Sequence, residues 1–477
     1  SEWTPPMLRL LLLLALASAV RVAAAAPGSA RPNIVVFLSD DMGWGQLGFN
    51  GGKDIPTPNV DRIAREGTKL TQFYVQAVCS PTRAALMTGR YPFRNGMEER
   101  THGNDASGML PDERTLAQAL KGAGYSTAIM GKWHLGVWSK HHLPLQRGFD
   151  HQYGFYGAVI DSFTRLRGTT YDWHRNEQPL REPGYSTFLI ADEFVRVLQR
   201  HDAAKPFFYY VPFNAVHGPH RAPPDFLEKH RGNAQRAMLD CMDVAIGKML
   251  AALESKGVLN DTLVIFMNDN GGPGRISNAP FRGSKTETYE GGVRVACAWR
   301  WPGKIPAGGA VDAMLHAVDL YPTLVGLGGG SLEQPLPLDG RDAWPAIAQG
   351  KPGPRDEVVL SVPGFADSET GTPAIRVGDF KLVGDELYNL RVDPYEKQNI
   401  AAENPDKVRT LHARLAQLAT ERRKPEEHVR ISEGKLLVYG EEENKAPIPD
   451  WIHEAVKAGA EEEAAAPTKK GGKKKKK

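Results

Sequence analysis

The alternation of short apolar runs with helical stretches constrains the fold more than any other feature of the sequence. Residues 33–38 form an apolar, β-branched run typical of a strand buried on both faces. Further strand-like runs lie at residues 125–130, 206–213, 262–267 and 291–301. Helical patterns lie between and after them, at residues 58–66, 111–122, 189–199, 234–256 and 314–326. This order predicts an α/β fold with a large, mostly parallel sheet and helices on both faces.

The pattern changes near residue 354. Residues 374–383 and 387–390 predict a smaller C-terminal antiparallel sheet, and residues 405–422 predict a helix packed beside it. We therefore expect a main domain over residues 31–353 and a smaller C-terminal subdomain over 354–440. Residues 441–477 form a Lys-rich tail that we expect to be disordered.

The charge balance argues against nucleic acid as a partner. Seven of the 59 basic residues are lysines of the last nine positions, and the remaining 52 face 56 acidic residues. The body of the protein is therefore close to neutral, which gives it no general attraction to a polyanion. Three cysteines make no disulfide framework, and Cys241 and Cys297 are predicted to pack in the core.

Residues 1–26 predict a signal peptide with a few upstream residues. Met7 and Arg9 precede a leucine- and alanine-rich run over residues 10–20, and small residues at 23–26 resemble a cleavage site. The run is too short to span a membrane, so we expect export to a periplasm or the cell exterior. No integral membrane span is expected after the signal is removed.

Acidic and amide side chains follow two of the predicted strands. Asp40 and Asp41 end one strand, and Asp269 and Asn270 end another. Ligands in open α/β sheets bind beyond the carboxyl ends of the strands, where these hard oxygen donors would suit calcium or magnesium and not zinc. Taken alone, each pair is more typical of a turn or a helix cap than of a metal site.

A strand-like run is predicted over residues 70–75, before Cys79. Cys79 is predicted to begin a helix, because Pro81 suits a first turn and residues 84–87 are good helix formers. A helix N-terminus attracts anions, and Arg83 one turn later would add a fixed charge. Taken alone, a buried structural cysteine is the commoner interpretation.

The stretch Cys79-Ser80-Pro81-Thr82-Arg83, followed by Thr88-Gly89-Arg90, resembles the signature of the formylglycine-dependent sulfatases. These enzymes belong to the alkaline phosphatase-like superfamily. Stretches 131–136 and 282–294 also match that family, as do the polar clusters above, in the family's order. The resemblance implies that a dedicated maturation enzyme oxidises Cys79 to an aldehyde, formylglycine.

The resemblance also implies roles for the other residues. Asp40, Asp41, Asp269, Asn270 and residue 79 would bind the metal, which would be calcium, with magnesium as the alternative. Lys132 and Lys285 would hold the sulfate, Arg83 would favour an alkoxide on residue 79, and His134 would hold or deprotonate a hydroxyl. His217 would protonate the leaving group, and His220 would contact the substrate. The family more often has Ser at the position of Asn268, a departure that we expect to be harmless.

The implied mechanism begins when the aldehyde hydrates to a geminal diol. One oxygen attacks sulfur and the alcohol leaves; the second hydroxyl then loses its proton, the carbon–oxygen double bond reforms and sulfate is expelled. The implied activity is that of a sulfuric ester hydrolase acting on a sulfated carbohydrate and also on aryl sulfates. We expect loops such as residues 158–178 to set specificity. Candidate sugar or anion contacts there are Asp161, Arg165, Arg167, Trp173, His174 and Arg175, although taken alone they are more typical of exposed loop residues.

Three other functions compete with this interpretation. A phosphonate or phosphate ester hydrolase of the same superfamily would share the sheet and the aspartates. A non-catalytic glycan-binding relative would not need Cys79, Lys132, His134, His217 and Lys285 together. A polyanion-binding protein would depend on the lysine tail.

Overall fold

The computed structural model describes residues 31–101, 108–137, 139–168, 170–274, 276–364 and 371–423, together with residues 450, 451, 454 and 457. The predicted signal peptide, most of the predicted tail and residues 424–440 of the predicted subdomain lie outside this part of the chain. Within it, no helix has both the length and the apolar character needed to cross a bilayer.

The strands are β1 (Asn33–Ser39), β2 (Thr68–Leu70), β3 (Phe73–Tyr74), β4 (Ser126–Lys132), β5 (His151–Phe155), β6 (Leu166–Arg167), β7 (Thr170–Tyr171), β8 (His174–Arg175), β9 (Gln178–Pro179), β10 (Phe207–Pro212), β11 (Thr262–Asn268), β12 (Cys297–Arg300), β13 (Gly309–Val311), β14 (Leu315–His316), β15 (Glu357–Ser361), β16 (Ala374–Val377), β17 (Phe380–Val383) and β18 (Glu386–Asn389).

The helices are α1 (Pro58–Arg65), α2 (Cys79–Thr88), α3 (Pro92–Asn95), α4 (Leu116–Gly122), α5 (Ser186–Arg200), α6 (Pro224–Lys229), α7 (Ala234–Ser255), α8 (Glu290–Val293), α9 (Leu320–Leu327), α10 (Trp344–Gln349) and α11 (Pro405–Ala419). Short 3-10 turns lie at Trp44–Gln46, Gly48–Asn50, Lys140–His142, Pro144–Arg147, Leu259–Asp261 and Ala317–Asp319.

The main sheet has ten strands in the order β13-β2-β12-β11-β1-β10-β4-β5-β8-β9. Its centre is parallel: β1 pairs with β10 and with β11, β10 pairs with β4, and β4 pairs with β5. Antiparallel pairs flank this centre on both sides, where β12 joins β11 and β8 joins β5. The predicted mostly parallel sheet is confirmed, with antiparallel edges added.

Both faces of this sheet are covered, because successive residues of β1 point into two different cores. Val35 and Phe37 pack in one core with side chains of α1, α5 and α7. Val36 and Leu38 pack in the other with side chains of α2, α4 and α9. A strand buried on both faces reads as a continuous apolar run, which is why the sequence marks β1 clearly.

The small antiparallel sheet has the order β15-β16-β17-β18 and packs beside α11. Its apolar core joins Ile375 and Leu382 to Leu411 and Leu415 of the helix. The first strand begins at Glu357, inside the predicted subdomain. The exact domain boundaries stay a prediction.

Four predicted elements differ from the structure. The helix predicted over 111–122 begins only at Leu116, because Thr115 accepts a hydrogen bond from the Gln118 amide and caps it. The strand-like run 70–75 divides into β2 and β3. The strand predicted over 291–301 contains α8 and only then β12, and the helix predicted over 314–326 starts with strand β14.

Candidate active site

Cys79 is the first residue of α2 and lies under the protein surface. Its side chain is about 1 % exposed, and all ten residues of the helix are buried. Gly89 ends the helix in the left-handed conformation, with φ of 67°. Burial raises the pKa of the Cys79 thiol, and Asp40 and Asp269 add to this while Lys132 and Lys285 oppose it. An unmodified cysteine here is therefore a poor thiolate nucleophile at neutral pH.

Arg83 lies one turn after Cys79 and is fully buried. Its Nη2 donates to Asp269 Oδ2 at 2.8 Å and lies 3.4 Å from Asp40 Oδ2. Its Nη1 donates to the main-chain oxygen of Lys132 at 3.2 Å. The guanidinium thus ties the ends of β1, β4 and β11 to the start of α2.

Asp40, Asp269 and Cys79 form an acidic cluster. One ligand atom from each of the three lies within 4.8 Å of the other two, and all three residues are buried. Burial and the nearby Asp40 raise the pKa of Asp269 to about 7, although Arg83 and Lys132 act in the opposite direction. Burial also acts to raise the pKa of Asp40, but the surrounding cations hold it below its usual value.

Two buried oxygens in and beside this cluster have no hydrogen-bond partner among the described residues. They are Asp40 Oδ1 and Asn270 Oδ1. The amide of Asn270 is oriented by its Nδ2, which donates to Asp41 Oδ1 at 2.8 Å. Unsatisfied buried acceptors are costly, and oxygen donors of this kind suit a hard divalent cation. The residues present therefore fit a calcium or magnesium ion.

Asp41 adopts a left-handed conformation, with φ of 61°, and faces a different set of partners from Asp40. Lys285 Nζ lies 2.6 Å from Asp41 Oδ1, and His217 Nε2 lies 3.5 Å from Asp41 Oδ2. Burial lowers the pKa of His217, although Asp40 and Asp41 partly offset this. Nδ1 of His217 donates to the Gly218 carbonyl at 2.6 Å, which leaves Nε2 as the atom that can exchange a proton with a ligand.

Lys132 is the last residue of β4, and His134 lies two residues after it. Lys132 Nζ donates to Asp40 Oδ2 at 2.6 Å, and both side chains are fully buried. His134 Nε2 donates to the Thr101 carbonyl at 3.1 Å, and its buried Nδ1 has no partner among the described residues. Burial and the charge of Lys132 lower the pKa of His134 well below its usual value, so its Nδ1 is a hydrogen-bond acceptor.

A family model described as Sulfatase matches residues 32–330, which contain all of these side chains. The chain belongs to the sulfatase family. It is 32% identical over 465 residues to arylsulfatase J of Mus musculus, covering 83% of this chain and 77% of the relative. It is 38% identical over 370 residues to N-acetylgalactosamine-6-sulfatase of Mus musculus, covering 71% of this chain and 70% of the relative.

Solved structures share the fold of this chain. A crystal structure of Ps i-CgsB in complex with k-i-k-neocarrahexaose matches with a TM-score of 0.77 and 29% identity, covering 83% of this chain and 94% of that one. A phosphonate monoester hydrolase of Agrobacterium radiobacter matches with a TM-score of 0.60 and 22% identity, covering 82% and 95%, and shows the fold alone. The chain is a sulfuric ester hydrolase with the alkaline phosphatase-like fold.

The structure brings together most of the predicted site residues of this sulfatase. Contacts or ion pairs join Cys79, Arg83, Lys132, Lys285 and His217 to the predicted metal ligands. His134 belongs to the same site, because it lies two residues after Lys132 and the charge of Lys132 lowers its pKa. His220 is exposed, at the edge of the site near His217.

The predicted specificity segment 158–178 divides into different environments. Trp173, His174 and Arg165 are fully buried, and Arg165 donates to the Ser162 carbonyl and lies over the Trp173 ring. Arg175 pairs with Glu193. The alternative that these are exposed loop residues is therefore wrong for Arg165, Trp173 and His174. A role of the segment in specificity stays a prediction.

Two supporting residues have no signal in the sequence motifs. Thr101 presents only its main-chain oxygen to His134, and no side-chain pattern announces such a contact. Asn278 closes the loop before Lys285, since it accepts from the Gly272 amide and donates to the Gly272 carbonyl, each at 2.8 Å.

Asn268, the departure from the family pattern, accepts from Ser39 Oγ at 2.5 Å and donates to the Met42 carbonyl at 2.8 Å. It therefore links β11 to the end of β1, next to Asp40.

Proposed function

We propose that this sulfatase hydrolyses sulfate esters of a carbohydrate, with a formylglycine made from Cys79 and a bound calcium ion. The observation that carries the proposal is the position of Cys79. It begins a buried helix within 4.8 Å of ligand atoms of Asp40 and Asp269, in a site that also holds two lysines. A thiol with a raised pKa would be a poor nucleophile in that position. An aldehyde made from it could contact the cation and receive the sulfuryl group beside the two lysines.

The proposed cation would be held by Asp40, Asp41, Asp269, Asn270 and an oxygen on residue 79. The two unsatisfied oxygens, on Asp40 and Asn270, support this assignment. When present, the aldehyde would supply a hydrated carbon whose oxygen takes the sulfuryl group, and the cation would stabilise negative charge on that oxygen. Magnesium is the alternative ion, since it accepts the same oxygen ligands.

The two lysines are proposed to hold the sulfate group. Each makes one ion pair with a carboxylate, Lys132 with Asp40 and Lys285 with Asp41, so each ammonium keeps further N–H donors for sulfate oxygens. Arg83 would favour the ionised forms of Asp40 and Asp269 and hold both carboxylates in place. These fixed charges are oriented before the substrate arrives, which is the usual source of electrostatic stabilisation in a transition state.

The two histidines are proposed to move protons. His217 Nε2 would donate a proton to the departing alcohol, and the carboxylate of Asp41, 3.5 Å away, would stabilise the protonated ring. His134 would accept a hydrogen bond from a hydroxyl of residue 79 through Nδ1, because its other nitrogen already donates to Thr101. His220, at the exposed edge, would contact the alcohol part of the substrate.

A sulfated saccharide is the proposed substrate class, with aryl sulfates as smaller substrates. The support comes from the similar N-acetylgalactosamine-6-sulfatase and from the similar structure in complex with k-i-k-neocarrahexaose. Export to a periplasm or the cell exterior and maturation by a formylglycine-generating enzyme belong to the same proposal. Export rests on the apolar run of residues 10–20, which lies outside the described residues.

The experiment that tests this function compares the purified enzyme with its Cys79→Ala variant on an aryl sulfate. We expect sulfate release to fall to the uncatalysed level in the variant, because alanine cannot be oxidised to the aldehyde that is proposed to accept the sulfuryl group. Circular dichroism should show an unchanged fold, and Cys241→Ala serves as the matched control with full activity. Full activity in Cys79→Ala would refute the assignment.

A further inference from the structure

A cavity of about 440 Å³ lies at the end of the main sheet opposite to the active site. Its walls come from the first residues of β4 and β5, from Arg175 and Asn176, and from the end of α5. Lys132 lies at the other end of β4, six residues after Ser126. At a rise of about 3.3 Å per residue, the two sites are roughly 20 Å apart.

The wall of this cavity carries a pair of oriented guanidinium groups. Arg175 donates to both carboxylate oxygens of Glu193, at 3.2 and 2.9 Å. Arg196 also donates to both oxygens of the same carboxylate. Glu193 is about 2 % exposed, whereas the arginine side chains are 33 and 34 % exposed. One buried carboxylate therefore fixes two guanidinium groups whose other N–H donors remain directed away from it.

A third arginine, Arg200, adds positive charge to the cavity. Arg200 lies one turn after Arg196 on α5, lines the cavity and is exposed. Among the described residues it makes no hydrogen bond or ion pair. A long cationic side chain beside two prearranged guanidinium groups favours an anion in the space between them.

The carboxylates near the cavity do not cancel this charge. Asp150 lines the wall but pairs with Lys121 at 2.7 Å. Asp202 also lines the wall, and its Oδ1 accepts from the Ala204 amide at 3.0 Å. Arg175, Arg196, Arg200 and Lys121 carry four positive charges. The carboxylates of Asp150, Glu193 and Asp202 carry three negative charges, so the cavity keeps an excess of positive charge.

We propose that this cavity binds a sulfate group, carried either by inorganic sulfate or by a sulfated sugar. Guanidinium forks match the tetrahedral oxyanion, and the substrates and product of a sulfatase both carry it. The volume is within the range of small-molecule sites and exceeds what a bare ion needs, so a sulfated sugar unit also fits. In the second case the cavity would hold a part of the substrate chain remote from the bond that is cleaved.

The test is crystallographic and uses the full chain with Cys79→Ala, so that no ligand is consumed. Crystals are soaked separately in sodium selenate, an anomalous scatterer shaped like sulfate, and in galactose 6-sulfate. We expect bound oxyanion within hydrogen-bond distance of Arg196 and Arg200. A signal from selenate identifies free sulfate as a ligand, and a signal from the sugar alone identifies the ester. An empty cavity in both soaks would overturn the proposal.

Calorimetric titration with the same two ligands supplies the quantitative arm. Arg196→Gln/Arg200→Gln should weaken binding at the cavity at least about tenfold, because it removes charge-assisted hydrogen bonds. Glu193 keeps Arg175 and His151 as partners in this variant, so the fold should persist. Arg200→Gln alone is the milder variant, and Arg409→Gln on α11 is the control for charge.

Unchanged affinity in both cavity variants would contradict the proposal. Turnover plays no part in these readouts, so their failure would leave the proposed function standing. Conversely, full activity in Cys79→Ala would refute the proposed function even if the cavity binds sulfate.

Discussion

At the scale of single residues, the two adjacent aspartates show how one backbone angle organises the site. Asp40 pairs with Lys132, while Asp41, with its left-handed φ of 61°, turns to Lys285. The motifs identify these four side chains in the sequence. They do not identify which lysine meets which aspartate, because that pairing depends on the turn at Asp41. Non-glycine residues in this conformation are uncommon and cluster at functional sites.

Replacing His217 should affect substrates according to their leaving group. His217→Gln removes the proposed proton donor, so we expect kcat/KM for a sugar sulfate to fall by about 10²–10⁴-fold. For 4-nitrophenyl sulfate the loss should be much smaller, because nitrophenolate leaves without a proton. His412→Gln, at a partly exposed position on α11, is the control. Equal losses on the two substrates would show that His217 does not act as the general acid.

At the scale of elements, the sequence predicts helices and central strands better than it predicts their caps and edges. The helix predicted over 58–66 is found at Pro58–Arg65. Its N-terminus, however, is satisfied by Asp243 of α7, which accepts from the Asn59 and Val60 amides across 184 and 183 residues of sequence. Local patterns carry no information on such a distant cap. Strand β14 is missed by the sequence prediction for a similar reason. It pairs with β3, far away in the sequence, and this pairing overrides the local helical pattern.

Asp243 should make stability depend on pH. Burial raises its pKa from 3.8 to about 6, although the Asn59 and Val60 amides oppose the shift. The folded state thus holds this proton more tightly than the unfolded state, and its contribution to stability is lost as the pH rises through 6.

Relative to Asp243→Asn, the free energy of unfolding of the wild type should therefore fall by up to roughly 3 kcal/mol between pH 4 and pH 7. Urea denaturation across this range measures the difference. Asp356→Asn, at an exposed position, is the control. A constant difference between wild type and Asp243→Asn would contradict the assignment.

At the scale of the whole molecule, the small sheet supports the loop that carries Lys285. Lys381 of β17 is fully buried and lies 2.8 Å from Glu290 and 2.9 Å from Glu396. Glu290 begins α8 and also accepts from Tyr74 Oη at 2.8 Å. A lysine in a short strand would be expected at the surface from sequence alone. Its burial follows from a contact between parts of the chain that local patterns treat separately.

Removal of divalent ions should destabilise the whole molecule as well as inactivate it. The proposed ligands lie at the ends of β1 and β11 and at the start of α2, so a bound ion would hold these elements together and stabilise the native state. We expect a chelator to lower both Tm and activity, and added calcium to restore them. Asp269→Asn should lose the response of Tm to calcium. Identical Tm and activity with chelator and with calcium would contradict the metal site.

The central claim is that residue 79 works as an aldehyde, and peptide mass spectrometry tests it most directly. Enzyme that releases sulfate from an aryl sulfate is digested, and the mass of the peptide containing residue 79 is measured. We expect a peptide in which the CH2SH group of cysteine is replaced by CHO, alone or hydrated, in proportion to specific activity. Fully active enzyme carrying only an unmodified cysteine at this position would contradict the account.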